Sequence, residues 1–311
     1  MEDFLLHPAA RRALAKLVDG DPISGLASLS PSDVGALQLA LSEMVAGRIS
    51  PPALLRRYMA DPFAQPAGVD ALALRRMEAD LLSLAQGMGF EPLQLSPVSP
   101  LGACSAVATV HQNKVLSAVR GLEVTADPTN ALALHYCARV KEGTLGGSAP
   151  VHMCATHRVV RGQRFHGPGL VQHFTLFAAI SGGYDSGSYA FEKEALAAHG
   201  ALYQSIFSTL FGKEMRVVLR KMPGYTDAEG LIERLLGHLR QTIPKSTVER
   251  HAEDGDGGYY QGMQFSILLE KEGQIIPNGD GGFVDWPQTL LANRKQRMLI
   301  SAIGLDRMLS I

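Results

Sequence analysis

Residues 151–180 read VHMCATHRVVRGQRFHGPGLVQHFTLFAAI. Residues 151–160 and 171–180 are rich in β-branched, aromatic and small apolar side chains, the pattern of two strands. Between them lies RGQRFHGPG, residues 161–169, with three glycines, one proline and the cationic or titratable Arg161, Arg164 and His166. A hairpin needs a connection of only about two to five residues. A longer, flexible loop bearing arginines suits a polyphosphate, because a guanidinium fork meets two phosphate oxygens at once. An ordinary solvated hairpin tip is the alternative for this stretch taken alone.

Three other stretches extend the pattern. Residues 299–309, LISAIGLDRML, read as an apolar strand, a glycine and a helix start carrying Arg307. Upstream, Leu74, Met77, Leu81 and Leu84 make one helix face that runs into GMGFEPLQLSP, residues 87–97. Residues 257–265 read GGYYQGMQF, a glycine-rich segment with paired tyrosines. In chain order, 87–97, 151–180 and 299–309 resemble motifs 1, 2 and 3 of the class II aminoacyl-tRNA synthetases. The paired tyrosines resemble the histidyl-tRNA synthetase branch. The resemblance covers about residues 70–311. It implies an α+β fold, a class II synthetase-like antiparallel sheet flanked by helices.

The resemblance also implies a site for ATP and Mg²⁺. Arg161 falls on the motif 2 arginine, which in the family holds the α-phosphate and stabilises the reacting centre. Gln163 stands where a glutamate reads the adenine amino group, and Phe174 matches the aromatic that stacks on adenine. Arg307 matches the motif 3 arginine, and Gly304 would let backbone approach the nucleotide closely. Arg164 and His166 are candidates for the β- and γ-phosphates. Gln172 replaces the arginine expected just before the aromatic.

The substrate side departs further from the family. Asp127-Pro128-Thr129 stands where the histidine branch has an arginine-proline-glutamate sequence that helps to hold the substrate amine. Asp127 and Thr129 are therefore substrate candidates, although an aspartate there also reads as a plain helix cap. Leu176 stands where a glutamine is expected. Residues 253–258, EDGDGG, stand where the branch carries a catalytic arginine, so the local charge is reversed. Tyr259, Tyr260 and Gln264 remain candidate pocket walls, and Gly281 and Gly282 candidate pocket liners. Asp254, Asp256 and Asp280 are candidates for an ammonium group or Mg²⁺, and Asp-Gly clusters read equally as turns.

Over the whole chain, 311 residues with a net charge of −1 and a 46% hydrophobic fraction describe an ordinary globular protein. That balance lacks the basic excess of extensive nucleic-acid binding, so tRNA is not expected as a partner. No apolar run reaches membrane-spanning length. Cys104, Cys137 and Cys154 are far apart and flanked by small apolar residues, which fits buried, reduced thiols in a cytoplasmic protein and no metal site. Residues 1–68 read as a small helical extension, with Ser30-Pro31-Ser32-Asp33 and Ser50-Pro51-Pro52 as helix starts. The 61–68 segment, DPFAQPAG, is the expected linker to a core at 69–311.

Two functions follow from these features. One is an enzyme that activates an amino acid or related carboxylate with ATP and passes it to a carrier protein, small molecule or protein side chain. The chain stops shortly after Arg307, so no anticodon-reading domain is expected downstream. The other is a non-catalytic, ligand-sensing paralogue, similar to the regulatory subunit of ATP phosphoribosyltransferase and working with a partner enzyme. A homodimer through the 70–87 helix and the strand to Pro97 is expected in either case.

Overall fold

The computed structural model describes residues 22–108, 110–145, 149–163, 172–271 and 274–309. Helices α1 (Pro22–Ala27), α2 (Pro31–Ala46) and α3 (Pro51–Ala60) come first. Ser30 and Ser50 act as the expected caps, their hydroxyls accepting the N–H groups of Asp33 and Ala53. None of the residues in these helices is buried. The first buried side chain in the described chain is Leu74.

Leu74 belongs to α4 (Ala71–Gly87), capped by Asp70, whose carboxylate accepts the N–H groups of Leu72 and Ala73. Its apolar face, Leu74, Met77, Leu81 and Ala85, lies in one core cluster with Phe90, Cys154, Phe177 and Phe207. The face that the spacing offered as a dimer contact is thus covered by the chain's own core. Strand β1 (Glu91–Pro92) pairs in parallel with Met153 and Cys154. The chain then leaves the main sheet to form a small three-stranded one from β2 (Val98–Pro100), β3 (Ser117–Ala118) and β4 (Leu122–Val124). Its fully buried Glu123 accepts the backbone N–H groups of Gly102 and Cys104 at 2.9 Å each and the Gln112 amide at 3.0 Å. A buried carboxylate survives only with such partners.

The rest of the chain builds the main body. In order these are α5 (Pro128–Lys141), β5 (Val151–Val160), β6 (His173–Tyr184), α6 (Ala190–Ser205), β7 (Arg216–Lys221), α7 (Ala228–Thr242) and β8 (Thr247–Arg250). Then come β9 (Gln261–Lys271), β10 (Gln274–Val284), α8 (Trp286–Leu290), β11 (Gln296–Gly304) and α9 (Leu305–Met308). The eight-stranded sheet runs β1-β5-β6-β11-β10-β9-β7-β8, antiparallel throughout its middle and parallel only at its two edge pairs. Side chains alternate between two apolar clusters. Phe177, Ala179, Leu299 and Ile303 face α4, α6 and α7, while Ala178, Ile180, Met298 and Ile300 face α5 and α8. Covering both faces makes the middle of these strands apolar on both sides, as in the Leu176–Ile180 run. The fold is the expected α+β one.

The glycine-rich 278–282 segment continues β10 to Val284, and α8 follows it as far as Leu290. Pro277 sits mid-sheet because the pairing of β10 with β9 shifts between Pro277 and Gly279. A bulge is where a strand proline is tolerated.

A chain of hydrogen bonds stitches β6 to β11 from behind. His152 Nδ1 meets Ser181 Oγ at 2.6 Å, and Ser181 Oγ meets His199 Nε2 at 2.9 Å. His199 Nδ1 meets Ser301 Oγ at 2.7 Å, as does the Tyr203 hydroxyl. His199 is fully enclosed, so burial pushes its pKa well below the ordinary histidine value and keeps the ring neutral. Removing the ring leaves Ser181 and Ser301 buried without these partners. His199→Ala is therefore expected to lower stability by about 3 kcal/mol or more, read from urea unfolding. The unfolded state takes up the His199 proton near its ordinary pKa and the folded state does not. The parent should lose stability as pH falls from about 7 to 5, and the variant should lose less of it.

Candidate functional site

Six elements, α5, β6, β9, β10, β11 and α9, meet at one end of the sheet around a cavity of about 460 Å³. Arg161 enters from the end of β5 and Phe174 from the start of β6, with the Arg161 guanidinium 5.3 Å above the Phe174 ring. Gly304 and Arg307 reach it from the β11–α9 junction, where Arg307 donates to the Pro277 carbonyl. Asp127 and Thr129 form another wall at the start of α5. Asp127 is both cap and wall: its Oδ1 accepts the Thr129 N–H at 2.9 Å and hydroxyl at 2.8 Å, and its Oδ2 lies 3.8 Å from Arg161 Nη2. Tyr259, Tyr260 and Gln264 close the far side. The sheet thus gathers ten of the proposed site residues, Asp280 among them, from segments remote in sequence, into one volume of the size small-molecule sites have.

Four proposed liners are placed differently. Gln163 lines a second, adjoining cavity rather than the Phe174 side. The loop turns at Gly162, whose N–H donates to the Lys114 carbonyl at 2.7 Å and carries Gln163 toward that strand connection. Gln172 is buried and lines neither cavity, and its carbonyl accepts the Arg161 N–H at 3.3 Å. Gly281 and Gly282 line neither cavity, because their missing side chains make room for protein rings. A Cβ at either would stand 2.5 Å from a ring carbon, of Phe265 at Gly281 and of Tyr260 at Gly282. Arg164 and His166 lie outside the described residues.

Asp280 is a candidate from the sequence, but several contacts at the site are ones that no local pattern reveals. Asp280 projects from β10 into both cavities and accepts from the Tyr260 hydroxyl at 3.2 Å and the Gln264 amide at 3.4 Å. Asp306 ties the base of α9 to β6 by accepting the Thr175 N–H at 2.6 Å, and Arg158 faces it at 3.6 Å. That pair fixes the turn from which Arg307 springs. Asn278, at the bulge, is buried against the cavity. The EDGDGG stretch is acidic as expected: Asp254 pairs with Lys221 at 2.7 Å. A cation is nevertheless present, because Arg220 reaches the second cavity from β7. Among the described residues no group of three or more His, Cys, Asp or Glu side chains could hold a metal ion. Cys104, Cys137 and Cys154 are free and buried, each pushed up to about 12, chiefly by burial, which leaves them inert thiols.

No protein-family model and no curated protein matches the sequence. Solved structures do match. Histidyl-tRNA synthetase from S. aureus superimposes with a TM-score of 0.61 at 13% identity, over 79% of this chain and 67% of its own. An ATP phosphoribosyltransferase regulatory subunit/histidyl-tRNA synthetase from Bacillus halodurans gives 0.62 at 12% identity, over 80% of this chain and 82% of its own. The RNA binding domain of threonyl-tRNA synthetase from Cryptosporidium parvum Iowa II gives 0.58 at 12% identity, over 80% and 64%. The chain therefore has the fold of a class II aminoacyl-tRNA synthetase-like core. At such identities the likeness carries the fold and no particular activity.

The electrostatics of the cavity centre on Asp280. Loss of bulk solvation raises its carboxyl above the ordinary aspartate value of about 3.9, and the Asp127 charge adds to this, against the hydrogen bonds from Tyr260 and Gln264. A carboxylate raised on folding makes a contribution that is complete below its unfolded pKa and is lost as pH rises through its folded pKa. Asp280→Asn mimics the protonated group. It is expected to melt higher than the parent at pH 7, with the difference shrinking as pH approaches 4. A variant that melts lower at pH 7 would show that the ionised carboxylate is net stabilising.

Proposed function

We propose that the first cavity binds ATP and activates the carboxylate of an amino acid or a related small acid. The convergence of Arg161, Phe174 and Arg307 on one cavity is the observation that carries this proposal. An adenine ring can stack on Phe174 on the side of Arg307, with the phosphates toward Arg161. Asp127, Asp280 and the Tyr260 hydroxyl offer acceptors for a substrate ammonium group. Activation requires a carboxylate oxygen to bond to the α-phosphorus while the bond to the bridging oxygen breaks and pyrophosphate leaves. Arg161 would neutralise charge on the α-phosphoryl oxygens as that exchange proceeds. Magnesium would arrive with the triphosphate, with at most isolated carboxylates from the protein, the usual manner for Mg²⁺.

The acceptor of the activated group is proposed to be a carrier protein, a small molecule or a protein side chain rather than a tRNA read at its anticodon. The net charge of −1 supports this, since phosphate-backbone binding draws on a cationic excess. A cytoplasmic homodimer is part of the same proposal, its contact lying outside the covered face of α4. No described helix is long and apolar enough to cross a membrane. A second function, sensing a ligand as a regulatory paralogue beside a partner enzyme, is favoured by Leu176. It puts an apolar side chain on the cavity wall where the synthetase pattern implies glutamine.

Calorimetry with ATP and Mg²⁺ should show binding that Arg307→Ala weakens roughly ten- to hundredfold, the usual worth of a charge-assisted contact. Exchange of labelled pyrophosphate into ATP, screened over the amino acids, then separates the two functions. Exchange that depends on one amino acid establishes the enzyme, and nucleotide binding without exchange establishes the sensor. No heat at millimolar ATP would overturn the nucleotide site.

A further inference from the structure

The second cavity, of about 490 Å³, shares Asp127, Arg161, Tyr260 and Asp280 with the first and continues it toward β7. Arg220 is the side chain that distinguishes it. On the paired edge strands Arg216 stands opposite Thr247 and Val218 opposite Glu249, so Arg216 reaches a carboxylate two residues along, whereas the same register carried past Leu219 and Arg250 brings Arg220 beside His251. Arg216 meets Glu249 through two hydrogen bonds, at 2.5 and 2.8 Å. Arg220 meets His251 Nε2 instead. An arginine only donates, so in this contact Nε2 is the acceptor, while Nδ1 lies 2.9 Å from the Glu253 carbonyl and 3.0 Å from the Glu253 N–H. The partner that holds Arg220 in place is thus an imidazole and not a carboxylate. No described carboxylate lies within ion-pairing distance of Arg220, although it is half-buried and its neighbour on the strand is paired.

The surroundings reinforce this. Lys114, at the margin of the same cavity, has no carboxylate partner among the described residues either. The cavity's acids are largely committed, Asp127 to Arg161 and its own cap, Asp280 to Tyr260 and Gln264, which leaves Asp256. Gly255 packs directly on the Arg220 stem and on Met222. A Cβ there would come 3.3 Å from Arg220 Cδ and 2.2 Å from Met222 Sδ. The stem is therefore clamped, and the guanidinium is oriented before any ligand arrives, which reduces the ordering cost of binding.

We propose that the second cavity is an anion subsite in which Arg220 holds a carboxylate or phosphate group of a ligand. A planar fork held by an imidazole and lacking a carboxylate of its own is matched by a two-oxygen anion. The subsite extends the ligand volume of the proposed function by one charged group, but it is tested without ATP. Two small probes separate the sources of that anion: inorganic pyrophosphate for a phosphate and malonate for a carboxylate. Titration calorimetry on the full chain should show that at least one of them binds. Arg220→Met should then weaken it roughly ten- to hundredfold. Arg220→Gln keeps the stem and a donor for His251, so it guards against a folding defect and should weaken the same probe comparably. The proposal is overturned if neither probe binds at millimolar concentration, or if both variants bind it as the parent does. Pyrophosphate or malonate binding lost in both variants supports the subsite even where ATP gives no heat, so the two proposals fail separately.

Discussion

The register of β6 on β11 is the constraint on which the site depends. Leu176 pairs with Gly304 and Phe177 with Ile303, and the pairing continues without a shift to Tyr184 and Gln296. It brings the start of one strand beside the end of the other, so that Phe174 and Arg307 border the same cavity. A slip of one residue would turn Phe177 and Ile303 from one core to the other and carry Phe174 away from the cavity. The apolar pattern alone resists such a slip weakly, because both faces of these strands are covered and both sets of residues are apolar. The polar chain from His152 through Ser181, His199 and Ser301 to Tyr203 supplies what the apolar pattern lacks. Its hydroxyls meet their partners in one register only.

This explains which features were legible in the sequence. Caps depend on neighbours two or three residues away, so Ser30, Ser50 and Asp127 could be read from local pattern. Strand and helix identities at both ends of the core followed from periodicity and from the β11–glycine–α9 sequence. Contacts between strands remote in the chain were not legible. Nothing near Arg158 announces Asp306, and nothing near Tyr260 announces Asp280. Arg220 escaped notice because the expected cation was sought beside the paired tyrosines and is supplied by a different strand. Gly281 and Gly282 were misassigned for a general reason. A glycine shows that something approaches the backbone closely, and here that something is a protein ring, not a ligand.

The two cavities divide the charge of the site. The first combines Arg161 and Arg307 with Asp127 and Asp280, so it presents acceptors beside a cationic fringe. The second ends on Arg220, whose charge no described residue pairs. A molecule that spans both would meet acidic acceptors at the junction and a guanidinium beyond it, the arrangement a zwitterion or a nucleotide with an acidic companion requires. Asp280 stands at that junction with its carboxyl raised above the ordinary range, and a cationic ligand group beside it would favour the ionised form. Binding of such a group would therefore release part of the cost of keeping Asp280 charged in a partly desolvated place. Pre-existing strain of this kind is spent only when the ligand carries the matching charge. A neutral analogue of the same shape would leave both Asp280 and Arg220 uncompensated, so discrimination between them rests on charge rather than on fit.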